Sequence, residues 1–175
     1  PYIFSMSRAL EGYAGWMLER TPGSLETLQQ ASDWLEEQDM CLYLSLNHGW
    51  LADAMGAAGK DSEAKKYGLL ALDRVYKDDR LGEAMACRAL AKIAARSHNM
   101  ELQSPEYYLD LAMQSAQARQ SRHEEAVTRL HQADLYLSLD RQVEARELLE
   151  QAQAAFADMQ MLWHIEQAKQ LERKI

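Results

Sequence analysis

The sequence is poor in residues that build β-structure and in residues that break helices. Among 175 residues there are three prolines and two phenylalanines, and valine and isoleucine are scarce beside alanine, leucine, glutamine, glutamate and arginine. Because β-branched and aromatic residues are the ones enriched in strands, a sheet protein is disfavoured. The abundant residues are good helix formers. The composition therefore predicts an all-α protein.

Other features that are missing disfavour whole classes of protein. The formal net charge is −8, so we expect no basic face of the kind that binds DNA or RNA. No apolar run approaches the roughly 20 residues that cross a bilayer, and the N-terminus has no signal-peptide pattern. Cys41 and Cys87 match neither a disulfide framework nor a CxxC pair. These absences predict a cytoplasmic protein that contacts neither nucleic acid nor membrane.

Motifs for catalysis and for cofactors are also missing. The GK dipeptide at 59–60 resembles the end of a phosphate-binding loop, but Ala54 stands where the first glycine is required and Asp61 replaces the hydroxyl residue. The HE dipeptide at 123–124 begins like a zinc-binding HExxH motif, but Val127 stands at the second histidine. No serine or cysteine lies in a nucleophile motif. We therefore expect no enzyme activity, no cofactor and no metal.

What the sequence does contain is a set of small residues that recur about every 40 positions. One column of alanines has intervals of 40, 41 and 40, and a column of small residues precedes it by 19, 19, 21 and 19 positions. Small residues at fixed columns let neighbouring helices approach closely. The later column is Ala31, Ala71, Ala112 and Ala152; the earlier one is Gly12, Ala52, Ala91 and Ala133; a third, between them, is Ser24, Ala64, Pro105 and Ala145.

These columns predict four pairs of helices and one more helix after them. The pairs span about 3–38, 40–77, 80–120 and 122–158, and a capping helix spans 161–174. Single helices are expected near 3–20, 24–38, 40–58, 61–77, 80–98, 104–120, 122–139, 141–158 and 161–174. Ser24, Asp61 and Ser104 are the expected N-caps. Bends are expected at 21–24, 59–61, 97–99 and 139–141, where helix-breaking residues lie.

The columns of two pairs resemble the tetratricopeptide repeat. In the second pair the matching residues are Leu51, Ala52, Met55, Gly59, Ala64 and Ala71, and in the fourth they are Ala133, Tyr136, Asp140, Ala145 and Ala152. The family repeat has about 34 residues and this one about 40, so the helices are longer. The resemblance implies an all-α, right-handed TPR-like helical-repeat solenoid, with all 175 residues in one domain.

The longer period and the ending "ARELLEQAQAAFADMQMLWHIEQAKQLERKI" resemble the C-terminal repeat region of multidomain bacterial regulators. These include transcription activators of the maltose-regulon and LuxR types and class III adenylate cyclases with ATPase modules. The chain starts without methionine and enters an amphipathic pattern at once. We therefore expect it to be the C-terminal fragment of a longer signalling or transcription regulator.

In such arrays the first helix of each pair lines a concave groove, which implies where a partner would bind. The inward positions are Ala9, Tyr13, Trp16, Gly49, Asp53, Gly56, Arg88, Lys92, Ala95, Leu130, Asp134 and Leu137. From these positions and the neighbouring Arg96, the expected partner-binding residues are Tyr13, Trp16, Asp53, Arg88, Lys92, Arg96 and Asp134.

Arg88, Lys92 and Arg96 recur every four residues and so share one face of a helix. One interpretation is a clamp for a carboxylate or an acidic peptide, which arginine binds bidentately. The alternative is that Lys92 pairs with Asp53 and Asp134 of the adjacent repeats. An exposed pair of that kind contributes about 0 to 1 kcal/mol.

A cluster of aromatic residues and methionines at the N-terminal edge has three alternative interpretations. Tyr13 and Trp16, with Met6 and Met17, form either a surface that further repeats cover, a partner site or a homodimer contact. Trp34, Trp50 and Trp163 are expected to pack in the core or between repeats.

The functional prediction is a non-enzymatic protein–protein interaction and regulatory module that binds through its groove. Two alternatives stay open. One is a domain that senses a ligand or peptide and controls an upstream effector, and the other is a homo-oligomerisation scaffold.

Overall fold

The computed structural model describes residues 2–38, 40, 42–97 and 101–175, and within these ranges the chain is helical and contains no strand. The all-α prediction is confirmed. The described elements are α1 (Tyr2–Glu19), α2 (Pro22–Glu37), α3 (Leu44–Ala57), α4 (Asp61–Asp73), a short 3-10 helix η1 (Arg74–Lys77), α5 (Glu83–Arg96), α6 (Pro105–Ala118), α7 (Arg122–Ser138), α8 (Gln142–Asp158) and α9 (Leu162–Glu172).

Packing divides the chain into two compact units, the first ending at Ile93 and the second beginning at Ala94. α5 runs across this point, so its last three residues belong to the second unit. Cys41 and most of the predicted bend at 97–99 lie outside the described residues.

In the first unit, helices touch at the small residues that the sequence singled out. α1 packs against α2 and α3, and α3 packs against α4. At Gly12, α1 and α2 are so close that an added Cβ would lie 2.5 Å from the backbone nitrogen of Leu28. Ala52, Ala64 and Ala71 are fully buried. The predicted close-packing columns are therefore confirmed in this unit.

An even closer backbone contact lies where the chain enters α5. A Cβ on Gly82 would lie 1.8 Å from the carbonyl oxygen of Ser45, at the start of α3. No side chain fits at that distance, because even one methyl group would have to displace backbone. Glycine at position 82 is thus a condition for packing this segment on α3.

Polar side chains are buried at the same place. The Asp79 carboxylate accepts hydrogen bonds from the backbone N–H of Ser45 at 2.9 Å, from the Ser45 hydroxyl, and from Arg74 Nε at 3.4 Å. The Gly82 N–H donates to Ser45 Oγ at 3.1 Å. This network joins α3 to η1 and to the segment that leads into α5.

A second buried polar contact joins α2 to α3. His48 is 3% exposed, and its Nε2 hydrogen-bonds the Glu36 carboxylate. Burial lowers the pKa of the imidazole and outweighs Glu36, which acts to raise it. In the neutral Nε2–H tautomer the ring donates to Glu36, while Nδ1 is buried without a hydrogen-bond partner among the described residues. A proton on Nδ1 would be a buried donor without an acceptor, so the neutral form is favoured.

The second unit has a simpler core. α7 packs against α6, α8 and α9, and α8 packs against α9. One cluster joins Ala133, Ala145, Leu149, Ala168 and Leu171, and another joins Ala126, Ala152 and Phe156. Alanine fills most of the close-packing positions here, so the helices approach without glycine.

Three turns of the second unit repeat one geometry. Gln120, Asp140 and Gln160 have positive φ values of 54°, 59° and 57°. In each turn the next residue's N–H donates to a carbonyl five positions back, as in Met161 N to Phe156 O at 2.9 Å. This is the hydrogen bond of a Schellman helix end. Because these turns come every 20 residues, they set a period of 40 for each helix pair.

The same turn ends α3, where Gly59 has a φ of 75° and Lys60 N donates to Met55 O at 2.9 Å. The GK dipeptide is therefore a helix-to-helix turn, as predicted. The predicted helix 61–77 is wrong in part, because α4 ends at Asp73 and η1 follows.

The predicted N-caps are partly corrected. Ser104 caps α6 by accepting from Tyr107 N at 3.2 Å, as predicted. Thr21 rather than Ser24 caps α2, because Thr21 Oγ1 accepts from the Ser24 N–H at 3.3 Å. Asp61 is the first residue of α4, and the N-cap position belongs to Lys60, without a side-chain hydrogen bond.

The first turn of α9 exposes two large apolar residues. Leu162 is 78% exposed, and Trp163, which was predicted to pack in the core or between repeats, is 44% exposed, whereas Ala168 and Leu171 are buried. The first turn of α9 therefore has its apolar side chains outside the core, and the helix is covered along its later turns.

Candidate partner-binding surface

A row of three side chains, which we call the Asp53 row, crosses the first helices of the first unit. Tyr13 of α1, Asp53 of α3 and Lys92 of α5 are 40 and 39 residues apart in the sequence. The Tyr13 hydroxyl donates to Asp53 Oδ2 at 3.1 Å, and Lys92 Nζ donates to Asp53 Oδ1 at 3.3 Å. The repeat thus brings equivalent regions of three helices together.

The charge of Asp53 is stabilised by its neighbours. Burial acts to raise the pKa of this carboxyl, but Lys92, the Tyr13 hydroxyl and Arg88 together outweigh it and hold the pKa below its usual range. The Asp53 side chain is 16% exposed, and that of Lys92 is 44% exposed. Asp53 is therefore the ionised centre of the row, and Lys92 is its solvent-facing end.

An aromatic pair lies beside the carboxylate. The rings of Tyr13 and Trp50 stack with centroids 5.4 Å apart and an angle of 15° between their planes. Trp50 lies one turn before Asp53 on α3 and is 8% exposed. It packs as predicted, but no pattern in the sequence indicated that its partner would be Tyr13. The stacking fixes the tyrosine ring and thereby aims its hydroxyl at Asp53.

Two of the residues expected to line the groove are buried instead. Trp16 is 6% exposed and Arg88 is 4% exposed, so neither is presented to a partner in this structure. Other positions expected to face the groove are also buried, namely Ala9, Gly49 and Gly56. The physical reason is that neighbouring elements cover α1, α3 and α5 on more than one side. Only a narrow part of each helix therefore faces solvent.

The arginine clamp is corrected by the same finding. Arg88 lies among buried residues of α5, from Ala86 to Ala91, and its charge helps to hold Asp53 ionised. Lys92 pairs with Asp53, as the alternative interpretation expected. Arg96 is exposed in the last turn of α5, within the second unit.

Asp134 pairs differently from the prediction. It is exposed on α7, and its Oδ1 lies 3.6 Å from Lys174 Nζ, within the second unit. Of the seven expected partner-binding residues, the structure thus brings Tyr13, Asp53 and Lys92 into one row, with Arg88 buried beside them.

The described cysteine has none of the features of a nucleophile. Cys87 is buried on α5, and this burial, reinforced by the charge of Glu83, raises the pKa of its thiol to about 12. Because the thiolate is the reactive form, Cys87 is a packing residue at neutral pH.

No family model, curated protein or solved structure matches this chain. Within the ranges that the structure describes, none of the helices combines the length and apolar character required to cross a bilayer.

Proposed function

We propose that this chain is a non-enzymatic protein-binding module of TPR-like repeats, and that it binds a protein partner through the Asp53 row of its first unit. The observation that carries the proposal is the row itself, in which three first helices contribute one side chain each to a continuous polar strip. Such a strip would bind a partner that spans several repeats.

The chemistry of the row suggests what the partner offers. Lys92 uses one hydrogen bond on Asp53 and is nearly half exposed, so its ammonium group is available to a second carboxylate. The stacked Tyr13 and Trp50 rings supply a rigid apolar neighbour. Aromatic side chains that are already held in place lose little entropy on binding. An acidic peptide segment with an apolar side chain fits this arrangement.

We further propose that the module belongs to a bacterial cytoplasmic signalling or transcription regulator. This context rests on the resemblance of the repeat columns to those regulators.

The test measures the affinity for a native partner in two variants of the Asp53 row and in a control with the same charge reversal elsewhere. Proteins retained from an extract of the source organism by the wild-type chain are identified, purified and titrated against it by calorimetry. We expect Lys92→Glu and Tyr13→Ala to weaken binding at least about tenfold, since anchor residues at a binding centre typically contribute 2 kcal/mol or more.

Lys60→Glu is the matched control, because it makes the same charge change at an exposed turn of the same unit. It should leave the affinity within about twofold. If Lys92→Glu and Tyr13→Ala bind every purified partner as tightly as the wild type, the Asp53 row is not the binding surface.

A second candidate function, a homo-oligomerisation scaffold, is favoured by an apolar stripe on α1. Ile3, Leu10 and Leu18 are 78%, 54% and 76% exposed, and their spacing places them on one side of the helix. This stripe, rather than Tyr13 and Trp16, is the apolar surface of the first helix. A second copy of the chain could cover it by packing α1 against α1.

Light scattering over a range of concentrations tests this candidate. A dimer that forms in the wild type and is lost in Leu10→Glu/Leu18→Glu would support it. Leu139→Glu is the control, since Leu139 is 49% exposed in the second unit. A wild type that stays monomeric at high concentration would exclude the scaffold.

A further inference from the structure

Two histidines from different helices of the second unit meet at their ring nitrogens. His123 lies in the first turn of α7 and His164 in the first turn of α9. They are 41 residues apart, which is one repeat period, so equivalent helix ends place them side by side. Nε2 of His123 lies 3.5 Å from Nε2 of His164, and the ring planes are 82° apart.

We propose that His123 and His164 form a binding site for a divalent transition-metal ion. Two imidazole nitrogens that bind one zinc ion at 2.0–2.1 Å with a tetrahedral angle are separated by about 3.3–3.4 Å. The observed separation is close to that value. A small rotation of the His123 ring brings both Nε2 lone pairs onto one ion.

The surroundings hold one of the rings in place. The His164 ring stacks on Phe156 of α8, with centroids 4.9 Å apart and planes at 29°, and the Trp163 ring meets it edge-on at 4.9 Å. Phe156 is fully buried, so it is a fixed support. Packing that restrains a ligand ring reduces the entropy lost when the metal binds.

The coordination of the ion follows from the number of protein ligands. In the part of the chain that the structure describes, no group of three or more His, Cys, Asp or Glu side chains is arranged to hold a metal ion. The pair therefore supplies two ligands and water the others. Both histidines are half-buried, which leaves room for such water.

Without metal, the two rings are joined by one hydrogen bond. One ring donates its Nε2–H to the Nε2 lone pair of the other, which requires opposite tautomers. For both Nε2 atoms to bind the metal, the donating ring changes tautomer, so its single proton moves through solvent from Nε2 to Nδ1. Both rings then hold their one proton on Nδ1, and no net proton is released. The ion replaces a single hydrogen bond by two metal–nitrogen bonds and so links the first turns of α7 and α9.

The ligand type predicts the selectivity. Imidazole suits zinc, copper and nickel, whereas magnesium and calcium prefer oxygen ligands. Affinity should increase from cobalt to nickel to copper, because a site without a rigid geometry follows the general order of divalent ions.

The experiment titrates the full chain, stripped with a chelator, with Ni²⁺ and Zn²⁺ by calorimetry and with Mg²⁺ as a comparison. We expect one strong equivalent of Ni²⁺ and of Zn²⁺. His123→Asn and His164→Asn should each weaken this binding at least about tenfold, because one imidazole of the chelate is lost. His131→Asn, on the same helix as His123, should bind within about twofold of the wild type.

A second measurement uses the wild-type chain alone and so does not depend on the folding of a variant. Diethyl pyrocarbonate modifies histidines, and mass spectrometry locates each modification. Zn²⁺ should slow the modification of His123 and His164 and leave that of His131 unchanged. Equal protection of all three histidines, or equal nickel affinity in wild type and in His123→Asn/His164→Asn, would overturn the proposal. Neither result depends on the Asp53 row.

Discussion

The two units of this chain are stabilised differently. Among the described residues, eight buried polar or charged side chains lie in the first unit, including Ser45, His48, Arg74 and Arg88, and two lie in the second, Ser115 and Thr128. All eight glycines of the sequence also precede Ile93. The second unit uses alanine at its close-packing positions and repeats one turn. The first therefore depends on particular polar pairs and close backbone contacts, and the second on regular packing.

If the first unit depends on close backbone contacts, the largest loss of stability is expected from a substitution at Gly82. We expect Gly82→Ala to lower the free energy of unfolding by at least about 3 kcal/mol, since overpacking costs about 1 to 3 kcal/mol and here the added atom meets backbone. Urea unfolding followed by circular dichroism measures the effect.

Gly23→Ala is the control for Gly82→Ala, because a Cβ at Gly23 would meet nothing within 4 Å. In a helix this change should be neutral or stabilise by up to about 1 kcal/mol. If Gly82→Ala unfolds within about 1 kcal/mol of the wild type, the close contact with Ser45 does not limit packing.

The next largest effect is expected at the ion pairs, which should contribute differently to the free energy of unfolding in the two units. Arg74 and Asp79 have side chains 10% and 13% exposed, whereas Arg122 and Asp158 of the second unit are 67% and 63% exposed. Asp79→Asn should destabilise by about 2 to 3 kcal/mol, because it leaves a buried guanidinium without its carboxylate. Asp158→Asn should change stability by less than about 1 kcal/mol. Equal effects of the two changes in urea unfolding would contradict the difference between the units.

The buried His48 predicts a pH dependence specific to the first unit. Burial lowers the pKa of this imidazole in the folded state. The unfolded chain therefore takes up a proton first as the pH falls below about 7, and stability is lost as the pH falls through the folded-state pKa. Glu36 faces the ring, and Arg74 and Asp79 contribute opposing charges.

Urea unfolding between pH 7 and pH 5 checks this dependence. One proton changes the free energy of unfolding by at most about 1.4 kcal/mol per pH unit. His48→Gln should have a shallower slope than the wild type. A slope that is unchanged in His48→Gln would mean that this histidine titrates alike in both states.

The smallest effects are expected at the repeated turns. Gln160 and Gln120 adopt positive φ without being glycine, whereas Gly59 occupies the same position in the first unit. Gln160→Gly should stabilise by about 0.5 to 1 kcal/mol, and Gly59→Ala should destabilise by about 1 kcal/mol. Gln151→Gly, inside α8, is the control and should destabilise by about 1 kcal/mol. Thermal and urea unfolding of the three variants would show whether the signs differ as expected.

Local patterns predicted much of the fold. The helical class, the turn at 59–60 and the burial of Ala52, Ala71, Ala133 and Ala152 followed from composition and spacing. The candidate site was less predictable. Spacing placed Tyr13, Asp53 and Lys92 at related positions of successive repeats, but the same reasoning also expected Trp16 and Arg88 at the surface, and both are buried.

The sequence by itself determined which segments are helices and which small residues lie between them, because those properties depend on neighbours along the chain. Only the tertiary structure decided how much of each helix is covered, and hence that Arg88 is buried while Leu18 is exposed. It also decided that His123 meets His164, since the spacing of one repeat brings two residues together only when the helices between them pack in register.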